Sequence, residues 1–362
     1  MVEWKKIGYV CKTVAPPKKL NKNEYLDEGR YPVIDQGQSN IVGYTNDDSA
    51  IIEGEYVLFG DHTRYVKYHK GQFAQGADGL KILRAGSNIS PRFFYFALQN
   101  ADIPSRGYSR HWSIAKDVLI PIPSIAEQER IVGILDTFSA AIDNLKKQIE
   151  LRKKQYEKNR DELLDLKGKE GVEMRSLEDI GTFIRGNGIQ KSDFVENGYP
   201  CIHYGQVHTK YGLSATETIS FIDEKLYKKS KKAIKGDIVL ATTSEDAEGV
   251  AKPVAWLGDD SVAVSGDAFI YHHNQNGKFM AHLFTSHQFM RFKVKYATGT
   301  KVVRITGDSM AKFVFPLPSL EEQNRIVSIL DTFESSISNL EAQLSLRQKQ
   351  YEYYRNQLLT FE

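Results

Sequence analysis

Cysteine is scarce: two in 362 residues, Cys11 and Cys201, far apart in the chain. That excludes a disulfide framework and a four-cysteine metal site, and each thiol reads as a small buried hydrophobe. No apolar run approaches the roughly 20 residues of a membrane span, and no charged-then-apolar leader opens the chain, so no membrane partner and a cytoplasmic location are expected. Phosphate-binding GxxxxGK[ST] is missing, as are GxGxxG between a strand and a helix, NPPF- or DPPY-like tetrapeptides, HExxH and CxxC. The nine histidines are scattered, with His272-His273 the one adjacent pair. These absences argue against ATP hydrolysis, base methylation and metal chemistry by this chain, so no catalytic residue, no metal ligand and no cofactor of its own is assigned.

Charge of one sign is also in short supply. The net charge is +2, but it is unevenly placed: residues 1–120 carry an excess of +3 and 171–315 of +2, whereas 121–170 are balanced and 316–362 carry −3. The positive segments are the ones suited to touch nucleic acid, and the excess is too small for tight binding without basic partners.

What the chain does have is one statement made twice. Residues 121–164 (PIPSIAEQERIVGILDTFSAAIDNLKKQIELRKKQYEKNRDELL) recur 195 positions later as 316–359 (PLPSLEEQNRIVSILDTFESSISNLEAQLSLRQKQYEYYRNQLL), without a gap and with 26 of 44 positions identical. Each copy follows a longer segment, and those two segments are largely unlike each other.

Each repeat predicts a helix of about 40 residues, roughly 60 Å long. Ser124 with Glu127, and Ser319 with Glu322, have the spacing of a capping box, and prolines precede both. Ile131, Leu135, Phe138, Ile142, Leu145 and Ile149 alternate by four and three, as do Ile326, Leu330, Phe333, Ile337, Leu340 and Leu344. That period of 3.5 is a narrow coiled-coil seam. It continues through Arg152, Tyr156, Asn159 and Leu163, and through Arg347, Tyr351, Tyr354 and Leu358. Polar residues at seam positions suggest a changed partner or a register device, or else a solvated helix end with snorkelling arginine. Gly168 is placed to end the first helix, with LKGKEG (166–171) as a linker. An antiparallel pair is favoured over a parallel one.

The segments before the repeats read as α+β heads. Ala50–Phe59 and Lys235–Thr242 carry strand patterns; Phe93–Gln99 and Phe279–Met290 read as short helices. Val2–Ile7 weakly resembles Val172–Leu177. The expected division is 1–122 first head, 123–168 first helix, 169–317 second head and 318–362 second helix.

The loops of the heads interleave cations with aromatics and amides. In the first head, GDHTRYVKYHKG (60–71) and SRGYSRHWSIAKD (105–117) make His62, Arg64, Arg106, Tyr108, Arg110, His111 and Lys116 the candidates for DNA contact. In the second, RGNGIQKSD (185–193), IHYGQVHTKYG (202–212) and ATGTKVVRITGD (297–308) contribute Lys191, Tyr204, Gln206, His208, Lys210, Lys301 and Arg304. Arginine reads guanine edges, and Gln, Lys, Ser and Thr add base or phosphate contacts. A basic-aromatic loop is also, often, only a solvated surface.

The segments IPSIAEQERIVGILDTF and LPSLEEQNRIVSILDTF, with GRYPVIDQGQSNIVGYTND (29–47), GDHTRYVKY and GDIVLATTSED, resemble the specificity subunits of type I restriction-modification systems over nearly the whole chain. The resemblance implies two globular α/β target recognition domains, each reading one half of a bipartite sequence in double-stranded DNA. It implies two long antiparallel coiled-coil helices, a pseudo-two-fold internal repeat that spaces the domains and docks two modification (methyltransferase) subunits. Those partners would bind S-adenosylmethionine, and restriction subunits joined through them would use ATP. The reading from a different class is a coiled-coil scaffold whose two heads bind protein.

Overall fold

The computed structural model describes residues 2–361. Two compact units divide the chain: Met1–Lys147 with Glu341–Glu362, and Gln148–Leu340. Each unit therefore holds one head and a part of each long helix.

The long helices span Ile125–Leu164 and Leu320–Leu359, 40 residues each. Their direction follows from the cores. In the first unit Ile131 and Leu135, near the start of the first helix, share a core with Leu359 at the end of the second. In the second unit Leu164, at the end of the first helix, shares a core with Ile326 and Leu330 at the start of the second. The helices are antiparallel. Of the seam residues, Ile131, Leu135, Ile142, Ile149, Ile326, Leu330 and Ile337 are buried, while Phe138, Leu145, Phe333, Leu340 and Leu344 are half-buried.

Both helices start where the prolines and serines place them, but the capping boxes are only half made. Ser124 Oγ accepts from the Glu127 backbone N–H and Ser319 Oγ from that of Glu322. The glutamate side chains turn away to bind Arg130 and Arg325 with two hydrogen bonds each. A charge-assisted fork outcompetes a single bond to a solvated backbone donor. The first helix ends at Leu164, four residues before Gly168, which takes φ +78° in the following turn. Leu166 of the expected linker is buried in the second unit's core, so that segment is anchored rather than loose.

The polar seam residues have changed partners. Arg152 lies over the Phe333 ring at 6.0 Å, and Arg347 over Phe138 at 5.7 Å, two pairs in which each member sits 195 residues from its counterpart. Tyr156 bridges the second long helix and its head: its hydroxyl donates to Glu334 Oε1 (3.1 Å) on that helix and meets His282 Nδ1 (3.1 Å) in the head. Tyr351 likewise donates to Gln99 Oε1 at 3.2 Å.

In the first unit the head is a six-stranded sheet in the order Cys11–Val14, Leu80–Ala85, Ile51–Gly60, Val66–Gln75, Tyr31–Ile34, Gly43–Thr45, all antiparallel save the pairing of Val66–Gln75 with Tyr31–Ile34. The helix Pro91–Asn100, capped by Ser90, covers it with Phe93, Phe94 and Phe96 fully buried. In the second unit two five-stranded sheets form, one around Ile238–Ala241 and one around Tyr199–Ile202. The single helix expected at Phe279–Met290 is two, Gly277–Thr285 and His287–Tyr296, broken at Ser286. Ser286 is extended there, and its side chain caps the second helix through the Phe289 N–H.

The weak likeness of the two head starts has a structural meaning. Glu3–Lys6 pairs with Leu119–Ile122, and Glu173–Ser176 with Val314–Leu317. Each head thus closes on itself with a two-stranded ribbon immediately before its long helix. Cys11 and Cys201 are free and buried, and burial pushes both thiols up to about 12. Among the described residues no helix is long and apolar enough to cross a membrane.

Candidate nucleic-acid interface

In the first head the two candidate loops are clasped together by Asp61 and His111, both buried. The Asp61 carboxylate accepts from the Trp112 backbone N–H (2.7 Å), and the Asp61 carbonyl accepts from the His111 N–H (2.7 Å). His111 Nε2 accepts from the Arg106 backbone N–H at 3.2 Å, so Nδ1 carries the ring proton and donates to the Asp61 carbonyl at 3.0 Å. His111, one of the residues expected to face DNA, is buried, and both of its ring nitrogens join the two loops. Trp112 is half-buried against Phe59, ring centroids 5.7 Å apart.

The clasp presents the remaining candidates. Tyr108 is 90% exposed and stacks on His62, with centroids 4.8 Å apart and planes at 14°. Gly107, with φ +66°, makes the turn that carries it. Arg106 and Arg110 are exposed on either side. Arg64, at φ +62°, is exposed and gives one N–H to the Ile103 carbonyl (2.8 Å), which ties the first loop to the start of the second. Lys116 stands apart from this group: it is exposed, and its carbonyl accepts from Gly8 beside the closing ribbon.

In the second head Tyr204, Gln206 and His208 lie on the short helix Tyr204–Thr209, and Lys210 follows it. Two of the four are committed to the fold. Gln206 donates to Ser220 Oγ (2.6 Å) and accepts from the His203 N–H (3.3 Å). His208 Nε2 donates to the Thr243 carbonyl (2.8 Å), and its own carbonyl accepts from Lys252 Nζ (2.9 Å). Gln206, expected to contact DNA, is half-buried and gives one amide N–H and one oxygen lone pair to the fold, with one of each left over. His208 lines a cleft while fixing the strand opposite it.

Two adjoining clefts open here. One, of about 640 Å³, is lined by Arg185, Gln190, Lys191, His203, Tyr204 and Asp267, together with three glycines, Ile189 and Ser265. The other, of about 590 Å³, is lined by Lys191, Tyr204, His208, Thr209, Thr243–Asp246 and Val302. Lys191 and Tyr204 belong to both. Arg304 is exposed on the ribbon that pairs Thr243–Ser244 with Val303–Arg304, and Lys301 is exposed on the loop leading into it. The structure therefore brings Lys191, Tyr204 and His208 together. It adds Arg185 and Gln190, which stand inside the RGNGIQKSD segment, and Thr243–Asp246, which the basic-aromatic criterion passed over.

Chemically, these surfaces offer stacking faces, cations and unoccupied hydrogen-bonding groups on loops whose backbones are tied down. That is the equipment for reading base edges and phosphates. Among the described residues no group of three or more His, Cys, Asp or Glu could hold a metal ion.

Comparison with known proteins agrees over the whole chain. Residues 1–153 and 169–347 match the family described as the type I restriction modification DNA specificity domain. The chain is 31% identical over 389 residues to the EcoR124I/EcoR124II type I restriction enzyme specificity subunit of Escherichia coli, covering 99% of this chain and 94% of that protein. It is 24% identical over 394 residues to the MjaVIII type I restriction enzyme specificity subunit of Methanocaldococcus jannaschii, covering 98% and 91%. The fold is shared with the crystal structure of a type I restriction-modification S subunit from M. genitalium, at a TM-score of 0.60 and 16% identity, over 100% of this chain and 97% of that one. With each head preceding its own copy of one helix, and both copies matched, the chain belongs to the type I restriction-modification DNA specificity family.

Proposed function

We propose that each head reads one half of a bipartite DNA target, and that the helix pair sets the spacing between halves and docks two modification subunits. In this reading the chain performs no chemistry. S-adenosylmethionine is used by the modification subunits and ATP by restriction subunits that join through them. The observation that carries the reading is the combination of constancy and difference: a 44-residue repeat with 26 identical positions, each copy forming a 40-residue helix, and each carrying a head with a different sheet and different loops. A target in two unlike halves at a fixed separation needs that construction. The modest positive charge of the heads fits a subunit that gains phosphate contacts from its partners.

The test is adenine-methylation mapping of a host that carries the modification subunits, with and without this chain. One bipartite motif appearing only when the chain is present is the expected result. Methylation that is absent in both, or identical in both, contradicts it.

A further inference from the structure

In the smaller cleft of the second head a carboxylate stands among groups suited to DNA. Glu245 is exposed and lines the cleft with Lys191, Tyr204, His208, Thr209 and Val302. Its backbone is fixed from both sides. Before it, Thr243 and Ser244 pair with Arg304 and Val303, and the Thr243 carbonyl is held by His208. After it, the Asp246 carboxylate accepts from the Gly249 N–H at 2.6 Å. Buried Lys293 donates to the carbonyls of Glu248 (2.5 Å) and Val250 (2.7 Å). Asp246, which also lines the cleft, thus holds its own turn with one of its oxygens. The Glu245 side chain has no hydrogen bond or ion pair among the described residues.

A carboxylate only accepts hydrogen bonds and is repelled by phosphate. On a DNA-reading surface it is tolerated where the facing edge offers a donor. In the major groove guanine presents the O6 and N7 acceptors and thymine presents O4, all of which repel it. Adenine offers N6–H₂ beside the N7 acceptor. Cytosine offers N4–H₂ with no acceptor next to it. The electrostatics rank cytosine first and adenine second, with guanine and thymine excluded.

Resting on the functional reading above, we propose that Glu245 is a specificity-determining residue of the second head. It accepts a hydrogen bond from the N4 amino group of one cytosine in that head's half-site, while Lys191 in the same cleft holds the neighbouring phosphate.

The experiment compares wild type, Glu245→Ala and Glu245→Gln, each co-expressed as the full chain with its modification subunits, by mapping methylated adenines genome-wide. The expected wild-type motif has a required cytosine in one half. Glu245→Ala relaxes that position alone, lowering discrimination roughly ten- to a hundredfold. Glu245→Gln shifts it toward adenine, because an amide can accept from N6 and donate to N7. The other half-site stays unchanged in both variants, which also reports that the chain folds and assembles. An unchanged cytosine requirement in both variants, a second half-site made only of A·T pairs, or loss of the whole motif with the near-isosteric Gln would each overturn the assignment while leaving the functional reading in place. A wild-type complex that imposes no motif would overturn the functional reading itself.

Discussion

The side chain of Gln128, in the first turn of the first long helix, accepts a hydrogen bond from the backbone N–H of Ser90 at 2.8 Å. Its amide nitrogen donates to the carbonyls of Asn88 (3.1 Å) and Pro123 (3.0 Å). In the second unit Gln323 does the same: it accepts from Asn276 N–H (3.0 Å) and donates to Gln275 Oε1 and the Pro318 carbonyl. Both glutamines are fully buried. Each joins the start of a long helix to the N-cap of the helix covering its own head, so the head is set on the helix by a polar clamp as well as by apolar packing.

Gln128→Leu keeps the volume and removes the clamp, leaving Ser90 N–H and two carbonyls short of partners. The cost is about 1–3 kcal/mol for each buried group left unsatisfied. Hydrogen exchange is expected to rise in Pro91–Asn100 and the start of the first long helix, with the second unit unchanged. Gln323→Leu is expected to give the mirror result, in Gly277–Thr285. Exchange that rises equally in both units for either variant would contradict a local clamp.

The second prediction concerns acid stability. His282 is fully buried, and burial holds its imidazole down at about 4. The Tyr156 hydroxyl gives its proton to Glu334, so it accepts from His282 Nδ1–H, and Nε2 is left buried without a partner. In the unfolded chain this group titrates near 6.5. The unfolded state therefore binds more protons than the folded state between about pH 6.5 and pH 4. The stability present above pH 6.5 is lost across that window as pH falls, by up to about 3 kcal/mol. His273, also held down at about 4 by burial, adds to the same slope. Counted from the cap, the position of His282 (six after Asn276) is held in the first head by Phe96 (six after Ser90). His282→Phe is expected to flatten the pH dependence of chemical denaturation by roughly half. An unchanged slope would show that the ring is not held neutral.

A third prediction separates reading from holding in the first head. Arg110→Ala is expected to cost about 1–3 kcal/mol in discrimination and to relax one position of one half-site. His111→Ala, which breaks the bonds to Asp61 and Arg106, is expected to weaken that whole half-site and lower the unit's stability. Methylation of single-base variants of the target distinguishes the two patterns. Equal relaxation of both half-sites by Arg110→Ala would contradict the assignment of that loop to one head.

Much of this architecture was legible from 195-residue self-similarity and a 3.5-residue seam, because a period recurs regardless of what it packs against. What the pattern could not show is the partner. Arg152 and Arg347 read as odd residues in an apolar seam until Phe333 and Phe138 are seen beneath them. Tyr156 and Tyr351 sit at seam positions where each helix also meets its head, through His282 and Gln99. Glu127 and Glu322 fit a capping box, yet Arg130 and Arg325 were equally visible at i+3 and win. At the heads, residue type misled where a side chain's hydrogen bonds are used internally: His111, Gln206 and His208 looked like readers and are in whole or part fasteners. A pattern of cations and aromatics does not single out Glu245, the acid proposed above to face a cytosine.

In the proposed function the helix pair is a ruler between two readers, and lengthening the ruler tests that most directly. Three heptads inserted after Leu145, with three partner heptads after Leu340, preserve the seam and add 21 residues to each helix, about 30 Å. That is about 9–10 bp, close to one turn of DNA, so the added length leaves the helical phase between half-sites nearly unchanged. Bound DNA selected by the assembled complex from a library of random sequence and spacer is the readout. Both half-sites unchanged, with a spacer longer by about 9–10 bp, is the predicted result; an unchanged spacer, or altered half-sites, would contradict it.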